Sequence, residues 1–428
     1  MSKNPILLLL LSVSFSSADA QVTDKLINKK EVVRIEKILS SDEMQGRNIN
    51  TPGIDKAADF IAAEFSSAGL QKWPGSTTYK QEFAMIRPKL ISVSGSIDQN
   101  PLDPKNIVVI TSMPDLHISN DSAFEMVNIK PGTNLFQEAN NYVQANKNYV
   151  VLVDTSFSTN FIRLSGFGRQ LIKSDKSVVF VLTTGLPSKY EINASQEITV
   201  MNMRNVVGVL PGASRKEEFV IFSGHYDHLG IGKAVEKDSI FNGANDDAAG
   251  ITAVIMLSKY YKAIGKNERT LVFAAFTAEE VGGFGSQYFS RQLDPGKVVA
   301  MVNIEMIGTD SKWGKNSAYI TGYEMTDLGK ILSSNLQGTG FKFYPDPYPE
   351  QQLFYRSDNA TLARLGVPAH TISTSKMDAE KLYHTVNDEI ESLDMENMTR
   401  IIKAIALSAK SIVNGKDSPS RVDNTQLR

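Results

Sequence analysis

A chain of 428 residues is too long for one ordinary compact core, so a large domain with a smaller companion is expected. A formal net charge of −2, with no single-sign run, gives no general pull toward nucleic acid or an anionic membrane. There is no cysteine, which excludes disulfides, thiolate metal sites and a cysteine nucleophile and leaves histidine, aspartate and glutamate to hold any metal.

In chain order, the first twenty residues read as an export signal. Lys3 supplies the positive start, residues 5–15 are almost wholly apolar, and Ala18-Asp19-Ala20 offers a small-x-small cleavage site. The apolar run is too short for a spanning helix, and no later segment is long and apolar enough to be one. The mature protein is therefore expected in the periplasm or outside the cell, with no stable membrane insertion. Helices are predicted over 32–39 and 54–68; the second carries Ile54, Ala58, Ile61 and Phe65 on one stripe and stops at Gly69. Residues 69–81 read as a loop. From 90 to 200 the texture changes to short β-rich runs at 107–111, 150–153 and 178–182, separated by polar stretches, as in an inserted subdomain.

From Asn205 onward strands and helices alternate. Strands are predicted at 206–210, 219–223, 270–276, 298–304, 318–321 and 369–373, and helices at 247–264 and 395–413. The division expected is a signal over 1–20, a first part of the main domain over 21–89, the insert over 90–200, the rest of the main domain over 201–415, and a flexible tail over 416–428. Such alternation implies an α/β fold, a three-layer sandwich with a mostly parallel central sheet.

Five short segments place acids or histidines beside these elements, most of them just past a strand, the edge where open α/β sheets bind ligands. Ser223-Gly224-His225-Tyr226-Asp227-His228 puts His225 past one strand, with Asp227 placed to hold the imidazole's other nitrogen; His228 reads as either ligand or bystander. Gly243-Ala244-Asn245-Asp246-Asp247-Ala248-Ala249-Gly250 sets two carboxylates at a helix start. Capping by aspartate is common, but the crowd of small residues points to close backbone approach to a metal cluster. Glu279-Glu280 follows the next strand, where one acid can bind metal and the other take a proton from an activated water. Glu305 sits between Ile304 and Met306, an acid costly to bury unless paired or coordinated. Tyr383-His384, with Asp388 four residues on, completes the set.

In this order the segments resemble the co-catalytic dizinc aminopeptidase family, which also includes glutamate carboxypeptidase, glutaminyl cyclase and the transferrin receptor. Ser41-Asp42-Glu43-Met44-Gln45-Gly46-Arg47 is similar to the family's N-terminal region, and the insert lies where many members carry a protease-associated domain. The resemblance implies a zinc-exopeptidase-like fold with two zinc ions per chain. By it, Asp246 bridges both ions, His225 and Glu305 complete one site, and Glu280 and His384 the other. Glu279 is then the general base, Asp227 orients His225, and Tyr383 steadies the developing oxyanion. The Asp246–Asp247 bond is expected to be cis, as in relatives. Two departures stand out: Glu305 replaces the usual aspartate, and Arg356-Ser357-Asp358-Asn359 has asparagine where the family has histidine. The function implied is removal of N-terminal residues from peptides. The alternatives are a carboxypeptidase or dipeptidase on the same core, or a receptor-like protein that has lost catalysis. The full ligand set argues against a single-zinc cyclase.

Overall fold

A computed structural model of the chain describes residues 22–427; the expected export signal lies outside the described residues. The chain divides into two compact units, one built from the residues up to Glu82 and those from Arg204 onward, the other from Phe83–Met203. The sequence reading had set the insert at 90–200.

The elements of the first unit are the helices α1 (Lys29–Leu39), α2 (Pro52–Ser67), α3 (Ala249–Ile264) and α4 (Met395–Ser408), and the strands β1 (the end of Tyr190–Leu210), β2 (Arg215–His225), β3 (Arg269–Phe276), β4 (Val298–Ile304), β5 (Ser317–Ile320), β6 (Lys342–Pro345) and β7 (Ala369–Ser373). The strand order is β6-β5-β7-β4-β2-β3-β1. The four central strands, β7, β4, β2 and β3, run parallel; β1 and β5 join antiparallel. All eight residues of β3 are buried, as expected of a parallel strand covered on both faces.

One face of this sheet buries Val220, Phe222, Leu271 and Phe273 against α1, α2, α3 and α4, including Ile35, Phe65, Val254, Leu257, Ile401 and Ile405. The other face packs Ile221, Val272 and Met301 against Phe289, Leu362, Val367 and Val422. Helix α3 is apolar nearly all round because it lies within this core, and it ends at Gly265 in the left-handed conformation. The stretch after Gly415, expected to be a flexible tail, is instead tied down. The buried Arg269 donates to Asp417 O and Ser418 Oγ, Arg421 donates to Val298 O, and Val422 is buried.

The unit Phe83–Met203 contains a sheet in the order Ile107–Ile110, Val178–Leu182, Tyr149–Val153, Glu125–Ile129. On one side it buries Val151, Phe161 and Phe180, with Leu135 and Ala139 from the helix Leu135–Gln144. On the other it buries Val150, Val179 and Ile118, the last from Asp115–Ser119, which pairs with residues 191–195.

Candidate metal centre

The C-terminal ends of β2, β3 and β4 lie side by side, and each delivers a different part of the site. Strand β2 ends on His225, β3 leads through Thr277 and Ala278 to Glu279 and Glu280, and β4 hands directly to Glu305. Asp246 lies in the irregular turn before α3, where its bond to Asp247 is cis, and His384 lies in the loop after β7.

Asp246 is the centre of the arrangement. Its Oδ1 lies 3.2 Å from His225 Nε2, and its Oδ2 lies 3.3 Å from His384 Nε2. His384 Nε2 is also 3.1 Å from Glu280 Oε2. Despite these approaches, neither Nε2 makes a well-aligned hydrogen bond, and buried Glu305 Oε2 is likewise without one. Buried polar atoms normally find partners. Ligand atoms bound to one zinc at 2.0–2.1 Å stand about 3.3 Å apart in a tetrahedron. The orphaned His225 and His384 nitrogens, 3.2 and 3.3 Å from the two Asp246 oxygens, thus have the spacing of atoms that share a metal ion. His228 joins the cluster as well: His228, Asp246, Glu280 and His384 place ligand-type atoms within 4.8 Å of one another.

The electrostatics follow from this crowding. Burial works against ionised Asp246, but His225, His228 and His384 around it hold its carboxyl far below the usual range. Burial likewise opposes ionisation of Glu280, yet contact with His228 and His384 brings it to about 2. His384, despite partial burial, is raised to about 9 by Asp246 and Glu280. Glu279 and Glu305 behave oppositely. Burial dominates both, lifting Glu305 to about 7 and Glu279 well above the ordinary carboxylate range.

Asp227 does not hold His225 in the expected way. It is the Asp227 main-chain carbonyl that meets His225 Nδ1, at 3.1 Å, whereas its carboxylate Oδ1 is 3.8 Å away. That carboxylate instead accepts the Glu279 and Glu280 amides, at 3.0 and 3.3 Å. The side chain therefore positions the glutamate pair. Asp388 likewise supports the Asp246 turn and not the histidine four residues before it. Its oxygens accept the Asn245 and Asp246 amides at 2.8 and 3.0 Å. Tyr383 stacks on His384 with ring centres 3.8 Å apart and remains 40% exposed.

Three further residues support the site without facing the candidate metal positions. Asp247 is fully buried; Oδ2 accepts the His225 amide, while Oδ1 accepts those of Gly250 and Met306, tying β2, α3 and β4 at one point. Beside an acid that reads as a ligand, it looks like a simple cap. Gly250 must be glycine here, since a Cβ would sit 2.2 Å from Ile304 O and 2.3 Å from Asp247 Oδ2. Arg47 is buried completely and spends all its N–H groups on carbonyls: Nε on Tyr226, one terminal nitrogen on Leu39 and Asn242, the other on Gly243 and Asp246.

Left-handed backbone also flanks the ligand residues. Ala278, just before the glutamate pair, has φ 59°; Met306, just after Glu305, has φ 52°; and His384 itself has φ 57°. Left-handed backbone at such residues costs of order 1–3 kcal/mol each and is characteristic of functional sites. A small pocket beside the cluster is lined by Glu305, Tyr319, Leu353, Arg356, Met377 and Tyr383.

Residues 205–409 match the family described as Peptidase family M28. A probable zinc metalloprotease of Pyrenophora teres f. teres is 24% identical over 251 residues, 55% of this chain and 54% of that protein. Leucine aminopeptidase 1 of Ajellomyces capsulatus is 28% identical over 214 residues, 46% of this chain and 53% of that protein. The chain thus spans about half the length of the curated relatives it matches. An aminopeptidase from Aneurinibacillus sp. strain AM-1 shares the fold, with a TM-score of 0.53 at 19% identity over 92% of this chain and 95% of that one.

Proposed function

From an M28 peptidase domain over residues 205–409, we propose that this chain is an exported exopeptidase with two zinc ions, acting as an aminopeptidase on peptide N-termini. The observation that carries the reading is Asp246, whose two oxygens face the Nε2 atoms of two different imidazoles, His225 and His384, neither of which makes a hydrogen bond at that nitrogen. His225, Glu305 and Asp246 would hold one ion, and His384, Glu280 and Asp246 the other. Zinc held there would supply a water acidic enough to attack near neutral pH and would polarise the scissile carbonyl. Export is supported by the apolar run at 5–15 and the Ala18-Asp19-Ala20 site. Among the described residues no helix is long and apolar enough to cross a membrane.

Glu279 accepts the proton of the attacking water on its carboxylate and passes it to the leaving amine. Asp227 keeps the base in place through the Glu279 amide. Tyr383, beside His384 and open to solvent, donates its hydroxyl to the oxyanion that forms on the carbonyl oxygen.

The pocket beside Glu305 sets the direction of attack. A free amine pairs with Glu305, whereas a free carboxylate would pair with Arg356, and both line the pocket. The acid is the group nearer the metal ligands because it is one of them, so the amine end is the one drawn to the reacting centre. Aminoacyl-chromophore substrates are therefore expected to be cleaved, with activity abolished by a chelator and by N-acetylation of the substrate. Turnover of N-acetylated peptides with release of their C-terminal residue would overturn the aminopeptidase reading in favour of a carboxypeptidase.

A further inference from the structure

His228 is fully buried, and its ring enters the cluster from the same turn that carries His225. Room is made for it: a Cβ on Gly243 would lie 2.5–2.6 Å from the imidazole carbons. Its Nδ1 lies 2.7 Å from Glu280 Oε1 but 3.8 Å from Asp246 Oδ2. Two atoms bound to the same zinc stand about 3.3 Å apart. A separation of 2.7 Å is that of a charge-assisted N–H···O hydrogen bond. With Nδ1–H donating to Oε1, Oε2 is left to face His384 Nε2, at 3.1 Å, while His228 Nε2 is buried with no hydrogen-bond partner of its own.

We propose that His228 is a positioning residue for the second metal site: by engaging Glu280 Oε1 it makes Glu280 a one-oxygen ligand and sets the affinity of the ion shared with His384. This rests on the reading of Glu280, His384 and Asp246 as metal ligands. A carboxylate without such a partner is free to rotate about its last bond or to turn both oxygens inward. Losing a group that orients a ligand typically weakens metal binding roughly 10- to 100-fold. The ion between His225 and Glu305 does not depend on this hydrogen bond.

The test is zinc titration of the chelator-stripped full chain against a competing indicator, for wild type, His228→Leu, His228→Asn and His228→Gln. Asparagine places its side-chain N–H where Nδ1 lies; glutamine places it one bond farther out. Wild type is expected to take two ions. His228→Leu should weaken one of them roughly 10- to 100-fold and leave the other unchanged, with His228→Asn restoring much of the loss. If the leucine variant does not fold, the comparison of asparagine with glutamine carries the test, with asparagine expected to bind the second ion more tightly. Two ions bound as tightly in the leucine variant as in wild type, both weakened alike, or glutamine matching asparagine would overturn the proposal. Cobalt spectra showing one nitrogen ligand fewer in the leucine variant would overturn it too, by making His228 a direct ligand. A wild-type chain that takes up no ions would instead sink the metal-site reading itself, which separates the two failures.

Discussion

Glu279→Gln is expected to lower kcat on an aminoacyl substrate by roughly 100- to 10,000-fold, the usual contribution of a positioned general base. KM and metal content should stay close to wild type. The substitution is nearly isosteric and keeps the main-chain amide that Asp227 holds at 3.0 Å. It removes only the capacity to accept a proton. Ala278, at φ 59°, turns the chain so that Glu279 and Glu280 diverge from the end of β3, and only Glu280 contacts the histidines directly. Steady-state kinetics alongside metal analysis checks this. Activity within a few-fold of wild type, or a loss that tracks loss of metal, would show that Glu279 is not the base.

Arg47→Met is expected to be the most destabilising single change, on the order of 3–5 kcal/mol, comparable to breaking a buried charged network. The guanidinium reaches five carbonyls, of Leu39, Tyr226, Asn242, Gly243 and Asp246, and no water can replace it at a position with 0% exposure. Methionine fills most of the volume and satisfies none of these acceptors, each of which then carries a desolvation cost. Because Tyr226 lies beside His225, and Gly243 and Asp246 belong to the turn before α3, the loss falls on the segments that carry the metal ligands. Thermal unfolding of the metal-free variant should show a midpoint lowered by roughly 10 °C, from about 2–4 °C per kcal/mol for a domain of this size. A midpoint within a degree or two of wild type would mean that the carbonyls find other partners.

What was legible in the sequence follows from how each feature is encoded. Strands β3 and β4 are buried on both faces and read as mostly apolar runs, and the acids that follow them stand out by contrast. The elements at 298–304 and 369–373 are found at those residues. The strands Lys80–Ile97 and Tyr190–Leu210 were missed over most of their length. Much of Lys80–Ile97 is solvent-exposed, as at Leu90 and Ile91, so neither an apolar run nor a clean alternation marks that half; in Tyr190–Leu210 Tyr190, Ile192 and Ala194 do alternate with polar residues, but the pattern breaks off in the exposed stretch around Val200. The same logic separates the ligand residues from their supports. His225, Asp246, Glu280 and His384 belong to types that bind metals and sit where an α/β sheet opens. Asp247 and Arg47 act through main-chain amides and carbonyls of residues far away in sequence, and no local pattern encodes such partners. His228 was visible as a histidine, but only its 2.7 Å approach to Glu280 distinguishes a hydrogen-bond donor from a ligand. The tail after Gly415 looked free because it is polar, yet its main chain and Ser418 satisfy a buried arginine.

The central claim is that Asp246 joins two metal ions in one site, and counting metal per chain tests it most directly. Wild type and Asp246→Asn would be purified, loaded with zinc, freed of excess by gel filtration and measured by elemental analysis. Two zinc ions in wild type, with both sharply weakened in the variant, is the predicted result, since each ion shares one Asp246 oxygen. A single ion in wild type, or two ions held equally well by the asparagine variant, would contradict the two-metal account.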